Sequence, residues 1–141
     1  MGLDNGFLVK SASRYLERRN LPRGIKYPFN EDYNDGIEIV YWRKNWGLRT
    51  AVISILEPEE VNYEAGETPY SYYADKPSQV IEVIEIIASF LDEEKWEEEG
   101  NSIWTYDEVR PVLIQNIINL ALICGFMEEN PDIYLEFYDS Y

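Results

Sequence analysis

Asp132-Ile133-Tyr134-Leu135-Glu136-Phe137-Tyr138, close to the C-terminal end, alternates Ile133, Leu135 and Phe137 with Tyr134, Glu136 and Tyr138. A period of two puts the apolar set on one face of a β-strand and the polar set on its reverse. Just upstream the period changes. Val109, Val112, Leu113, Ile117, Leu120, Ala121 and Cys124 recur at helical spacing. Thr105-Tyr106-Asp107-Glu108 forms a capping box for that helix, Thr105 capping and Glu108 reaching back. Pro111 lies just beyond its first turn, and Gly125 is placed as its stop.

Working outward, Val80, Val83, Ile84, Ile87, Phe90 and Leu91 make the apolar stripe of a second helix. Asp75 or Ser78 is its expected cap, with Pro77 tolerated in the first turn. The expected helix runs to about Glu98 and stops before Gly100. Trp42, Trp46, Arg49, Ile53 and Leu56 predict a third helix over roughly 43–56, with Gly47 weakening it and Pro58 beyond its end. Between them, residues 57–76 form a long connection with Pro58, Gly66, Pro69, Tyr63, Tyr70, Tyr72 and Tyr73 and a candidate hairpin at Ala65-Gly66. Loops of that length in a small domain are uncommon and often functional. Ile37, Ile39 and Tyr41 alternate as a strand behind the Asp35-Gly36 turn, and residues 21–35 read as loop. Residues 11–20 predict a brief helix with Tyr15 and Leu16 inward, and residues 6–10 a first strand. Strands near both ends and helices between imply one α+β domain over residues 1–141. Its sheet is small and mainly antiparallel, with about three helices on one face.

The chain of 141 residues carries 27 acids and 12 bases, a formal charge of −15. Residues 1–50 hold nine bases and six acids; residues 51–141 hold only Lys76, Lys95 and Arg110 against 21 acids. Phosphate contacts need an excess of Lys and Arg, so direct nucleic-acid binding is not expected. With no histidine, imidazole bases, His triads and His-ligated metals are excluded. The single Cys124 excludes an internal disulfide and a multi-Cys zinc site. The most apolar run, residues 112–126, is broken by Gln115, Asn116 and Asn119 and reads as too short to span a bilayer. The opening residues lack a signal-peptide pattern. These features set a cytoplasmic expectation with no membrane partner.

Glu82, Glu85, Asp92, Glu93, Glu97 and Glu98 fall on or beside the polar side of the second helix. From Glu82 to Glu97 a continuous helix would extend about 22 Å. Its plain reading is a solvated face. Solvated faces usually interleave Lys at i+4 with Glu. Here Lys95 stands alone, so a row of carboxylates that a basic protein accepts in place of a nucleic-acid backbone becomes a candidate. Tyr70, Tyr72 and Tyr73 are its candidate rim, since tyrosine supplies interface area with a polar tip; the plain alternative is cover for the core edge. Tyr41-Trp42-Arg43-Lys44-Asn45-Trp46 is read as two core tryptophans at i,i+4 flanking a basic pair. Residues 30–36 resemble a calcium loop, but aligning Gly36 with the loop glycine puts Tyr33 and Trp42 at ligand positions, so the pattern fails. No metal or cofactor is expected, and no nucleophile is singled out.

Met1-Gly2-Leu3-Asp4 ahead of a strand, and Tyr41-Trp42-Arg43-Lys44 entering a helix, resemble motifs of a group of small uncharacterised phage and prophage proteins. The two motifs cover about a tenth of the chain. The resemblance implies a phage or bacterial cytoplasmic setting. The leading expectation is a non-enzymatic acidic protein binding a basic protein partner, a nucleic-acid mimic directed at a host DNA- or RNA-binding protein. The alternatives are self-association into a homodimer, the basic third of one copy docking on the acidic part of another, and an enzyme with a carboxylate-centred site.

Overall fold

The computed structural model describes residues 4–32, 36–56, 72–99 and 104–140. Strands β1 (Asp4–Ser11), β2 (Ile37–Arg43), β3 (Tyr72–Ala74) and β4 (Ile133–Ser140) form one sheet in the order β2-β1-β4-β3, every pair antiparallel. Helices α1 (Trp46–Leu56), α2 (Pro77–Ser89), α3 (Glu93–Glu99) and α4 (Tyr106–Glu129) follow in chain order. The fold is α+β, with four α-helices among the described residues.

The two terminal strands meet at the centre. Phe7 pairs with Phe137 and Val9 with Leu135, all turned into the core. Gly6 sits where no side chain fits: a Cβ there would lie 2.2 Å from the Val40 carbonyl oxygen. Against β2 the register slips between Phe7 and Leu8, so Phe7 faces Val40 while Leu8 faces Glu38. That bulge reassigns the faces of β2. Trp42, opposite Asn5, is fully buried, and Tyr41, opposite Gly6, turns to the outer face. The expected pairing of Ile37, Ile39 and Tyr41 on one face is therefore corrected.

Trp42 ends a strand rather than opening a helix. Lys44 adopts a left-handed φ of 54°, turning the chain, and Asn45 caps α1 by accepting from the Leu48 N–H at 2.9 Å. The buried Asn45 also donates to the Trp96 carbonyl at 3.2 Å. Trp46 is 46% exposed, so only Trp42 of the pair is a core anchor. Residues 11–20 form no α-helix: a 3-10 turn at Arg18–Asn20 is their regular structure, Leu16 is buried and Tyr15 is 81% exposed.

The helix α4 is long and apolar enough, by length and composition, to cross a membrane, which corrects the short-run expectation. Here it is the central packing helix. Val109, Leu113, Asn116, Leu120, Ile123 and Met127 are buried at alternating spacings of four and three, the single stripe a core-facing helix presents. Thr105 caps it as expected, accepting from the Glu108 N–H at 3.3 Å. Gly125 does not stop it. The helix continues to Glu129 and ends where Asn130, followed by Pro131, bonds back to the Phe126 carbonyl at 2.9 Å. Gly125 is exposed with nothing within 4 Å of an added Cβ. Gly125→Ala should therefore stabilise the fold by about 0.5–1 kcal/mol, read as a higher urea midpoint at unchanged slope.

Two buried asparagines of α4 take the place of a fifth strand along the free edge of β2. Asn116 accepts from the Tyr41 N–H at 3.3 Å and donates to the Tyr41 carbonyl at 3.0 Å. Asn119 donates to the Ile39 carbonyl at 2.8 Å and to the Lys26 carbonyl at 2.9 Å. It accepts from the Lys26 N–H at 3.1 Å and from Gln115 at 2.9 Å. A sheet edge otherwise open to pairing is thereby closed from within the chain.

Candidate functional site

The long helix expected over the acidic segment is two helices. Phe90, Leu91 and Asp92 separate α2 from α3. Trp96 explains the break. On an unbroken helix it would lie nine residues past Ile87, about 180° around the axis and facing solvent. With the chain turned, Trp96 is 1% exposed and donates its indole N–H to the Trp104 carbonyl at 2.9 Å. The 22 Å straight row of carboxylates is thus corrected to an acidic surface on two short helices.

Glu82 and Glu85 on α2, and Asp92, Glu93, Glu97 and Glu98 at α3, are all exposed. Asp92 also caps α3, its carboxylate accepting from the Lys95 N–H at 3.0 Å. Glu93 and Glu94 in the first turn favour the helix dipole, whereas Glu97 and Glu98 near the other end oppose it. Lys95 donates to Ser89 at 3.0 Å and lies 4.6 Å from the Phe90 ring centroid.

The basic N-terminal third is engaged elsewhere. Lys10 pairs with Glu136 at 2.7 Å, Arg14 with Asp132 at 3.0 Å and Arg49 with Asp139 at 2.7 Å. Arg18 pairs with Asp32 at 2.9 Å, Arg19 with Glu17 at 2.5 Å and Arg43 with Asp4 at 3.3 Å. Among the described residues no ion pair reaches α2 or α3.

The tyrosines divide. Tyr70 lies outside the described residues. Tyr72, opposite Phe137, turns to the core side and packs edge-on to Phe137 at 6.4 Å. Tyr73, opposite Glu136, turns to the sheet's outer face, where it meets Tyr134 at 5.6 Å. Tyr72 thus covers the core edge and Tyr73 lies on the outer face, both on β3, a strand in contact with α2.

That outer face holds polar groups the sequence pattern did not single out. Glu38, half-buried opposite Leu8, accepts from the Tyr138 hydroxyl. Burial pushes its carboxyl up to about 7, helped by the charges of Asp4 and Asp32, while the Tyr138 bond works in the other direction. Tyr41 donates to Asp4 at 3.1 Å, and burial lifts its phenol to about 12. Ser11, Ser13 and Arg14 all donate to Asp132, and these bonds, Ser11 foremost, hold it at about 2. The available signal was Glu38 between Ile37 and Ile39, a carboxylate mid-strand. Among the described residues, no group of three metal-ligating side chains is brought together.

No family model, curated protein or solved structure matches the chain.

Proposed function

We propose that the protein is an acidic interaction protein of phage or bacterial origin, acting in the cytoplasm, that binds a basic protein partner through the α2–α3 surface. A host nucleic-acid-binding protein is the partner class its charge suits. The carrying observation is the separation of charges: all six described ion pairs lie outside α2 and α3. Folding commits six of the nine N-terminal cations to other acids, and the carboxylates of α2 and α3 take part in none of the described ion pairs. The field of an acidic surface of this kind steers cationic partners and weakens with salt. The same pairing counts against self-association, because those cations already have intrachain partners.

Capture from a bacterial lysate at about 0.05 M and about 1 M salt tests this, since the Debye length falls to about 3 Å at the higher value. A variant with Glu82, Glu85, Glu93 and Glu97 changed to Gln leaves the Asp92 cap intact. The expected result is a basic protein held by the unmodified chain at low salt only and missing from the variant. Capture that survives high salt, or is equal for the variant, overturns the reading.

A further inference from the structure

Phe29, Tyr41 and Trp104 wall a groove of about 400 Å³ whose lining also includes Tyr27, Pro28, Pro111 and Val112. Phe29 and Tyr41 have ring centroids 4.9 Å apart at 73°, and Tyr41 and Trp104 6.1 Å apart at 53°. Rings so inclined form adjacent walls rather than a stack, the Phe29–Tyr41 contact being edge-to-face. The walls are fixed from behind. The Phe29 carbonyl accepts from Arg18 at 2.8 Å, Asn116 holds both backbone groups of Tyr41, and the Trp104 carbonyl accepts from Trp96. Phe29 is nevertheless 40% exposed.

Elsewhere this chain covers aromatic faces with its own cations. Arg18 lies 4.3 Å from the Tyr27 centroid, Arg49 5.5 Å from Trp46 and Lys95 4.6 Å from Phe90. Among the described residues no such cation lies over Phe29, Tyr41 or Trp104; Lys26, the charged residue of the lining, is exposed and makes no ring contact of this kind. Tyr41 donates its hydroxyl to Asp4, which enriches the ring. A pre-set aromatic box on a protein of charge −15 suits an organic cation.

We propose that the groove walled by Phe29, Tyr41 and Trp104 receives an arginine side chain of the basic partner. The guanidinium stacks flat on aromatic faces and is weakly hydrated, and its three-carbon stem suits the apolar lining at Pro28, Pro111 and Val112. The choice of occupant rests on the basic-partner reading above; the groove itself does not.

The test titrates the protein with Nα-acetyl-arginine methylamide and, separately, with the citrulline analogue, its uncharged isostere. The Trp104 indole N–H resonance, assigned with Trp104→Phe, is followed. Arginine should shift it saturably in the millimolar range and citrulline should not. Phe29→Ala, at an exposed site that leaves folding intact, should weaken the arginine response at least about threefold. Equal responses to the two analogues, no saturable shift, or an unaffected Phe29→Ala variant each overturn the proposal. The four-Gln variant of α2 and α3 should still bind the arginine analogue. Lysate capture without arginine binding removes the groove alone, and arginine binding without capture removes the acidic-surface reading alone.

Discussion

Asn119→Leu is expected to lower the free energy of unfolding by about 3–5 kcal/mol, the largest single-site loss anticipated in this chain. The side chain is 1% exposed and uses both its amide hydrogens and its oxygen, twice. Leucine matches its heavy-atom count and branching, though its methyl groups are bulkier, and it is apolar like the rest of the stripe of α4. The damage is to the groups left behind. The carbonyl of Ile39 loses its donor inside the protein, and a buried unsatisfied polar group costs about 1–3 kcal/mol. Both backbone groups of Lys26 lose their partner as well. They lie nearer the surface and recover part of their bonding from water, so the costs do not simply add. Asn119→Asp should be no better: it keeps an acceptor for Lys26, loses both donors and brings in a charge. Urea unfolding measures the loss, and a change below about 1 kcal/mol would show that the edge of β2 is held by other contacts. Since a whole domain of this size is stable by only about 5–15 kcal/mol, the variant should also release residues 21–28 to hydrogen exchange before the sheet opens.

The same asparagines show where sequence and fold part company. Gln115, Asn116 and Asn119 read as interruptions of an apolar run, because periodicity scores them as polar without saying whether a partner exists. Asn116 and Asn119 find their partner in the edge of a strand some eighty residues earlier, which only the tertiary arrangement supplies, and Gln115 bonds to Asn119. What was legible is local: the alternation of β4, the Thr105 cap and the apolar stripes of α2 and α4. What was not is each place where a distant contact overrides a local signal. Gly125 carries a stop residue's conformational freedom, but packing at Ile123, Cys124 and Met127 continues the helix past it. Trp42 and Trp46 have helical spacing, yet the pairing of Trp42 with Asn5 keeps the first in a strand. Asp75 and Ser78 looked like caps for α2. The helix instead begins after Lys76, with Gln79 accepting from the Asp75 and Lys76 N–H groups. At the acidic site the identities of the exposed carboxylates were legible, because an apolar stripe leaves the other side to solvent. The break before α3 was not, because it depends on burying Trp96 against Trp104.

Over the window from about pH 4.5 to about pH 7, stability should fall as pH rises, and Glu38→Gln should flatten that slope. The folded chain holds a proton on Glu38 up to about pH 7, while the unfolded chain releases it near 4.5. Within the window the native state binds more protons, so linkage makes unfolding easier with each step toward neutrality. The contribution is complete below the lower value and gone above the upper one. The shift sets a ceiling of about 3 kcal/mol, and about 1–2 kcal/mol is expected for a carboxyl that solvent partly reaches. Asp4, Arg43 and Tyr41, with Lys10, Glu136 and Tyr138, share its face of the sheet, and Asp32 lies close enough to act through its charge. Their roles can be separated by sign. Tyr138→Phe removes a donor that favours the carboxylate, so it should carry the upper limit of the window above 7. Asp4→Asn removes a repelling charge and should bring it down. Asp132 is held at about 2, and its opposite slope belongs to more acidic conditions, leaving this window clear. Unfolding curves at half-unit steps from pH 4 to pH 8, taken as the difference between the unmodified chain and Glu38→Gln, isolate the effect. Parallel curves would mean that Glu38 ionises as freely in the folded protein as in the unfolded one, and that the space left by Gly6 beneath Tyr138 is open enough to hydrate it.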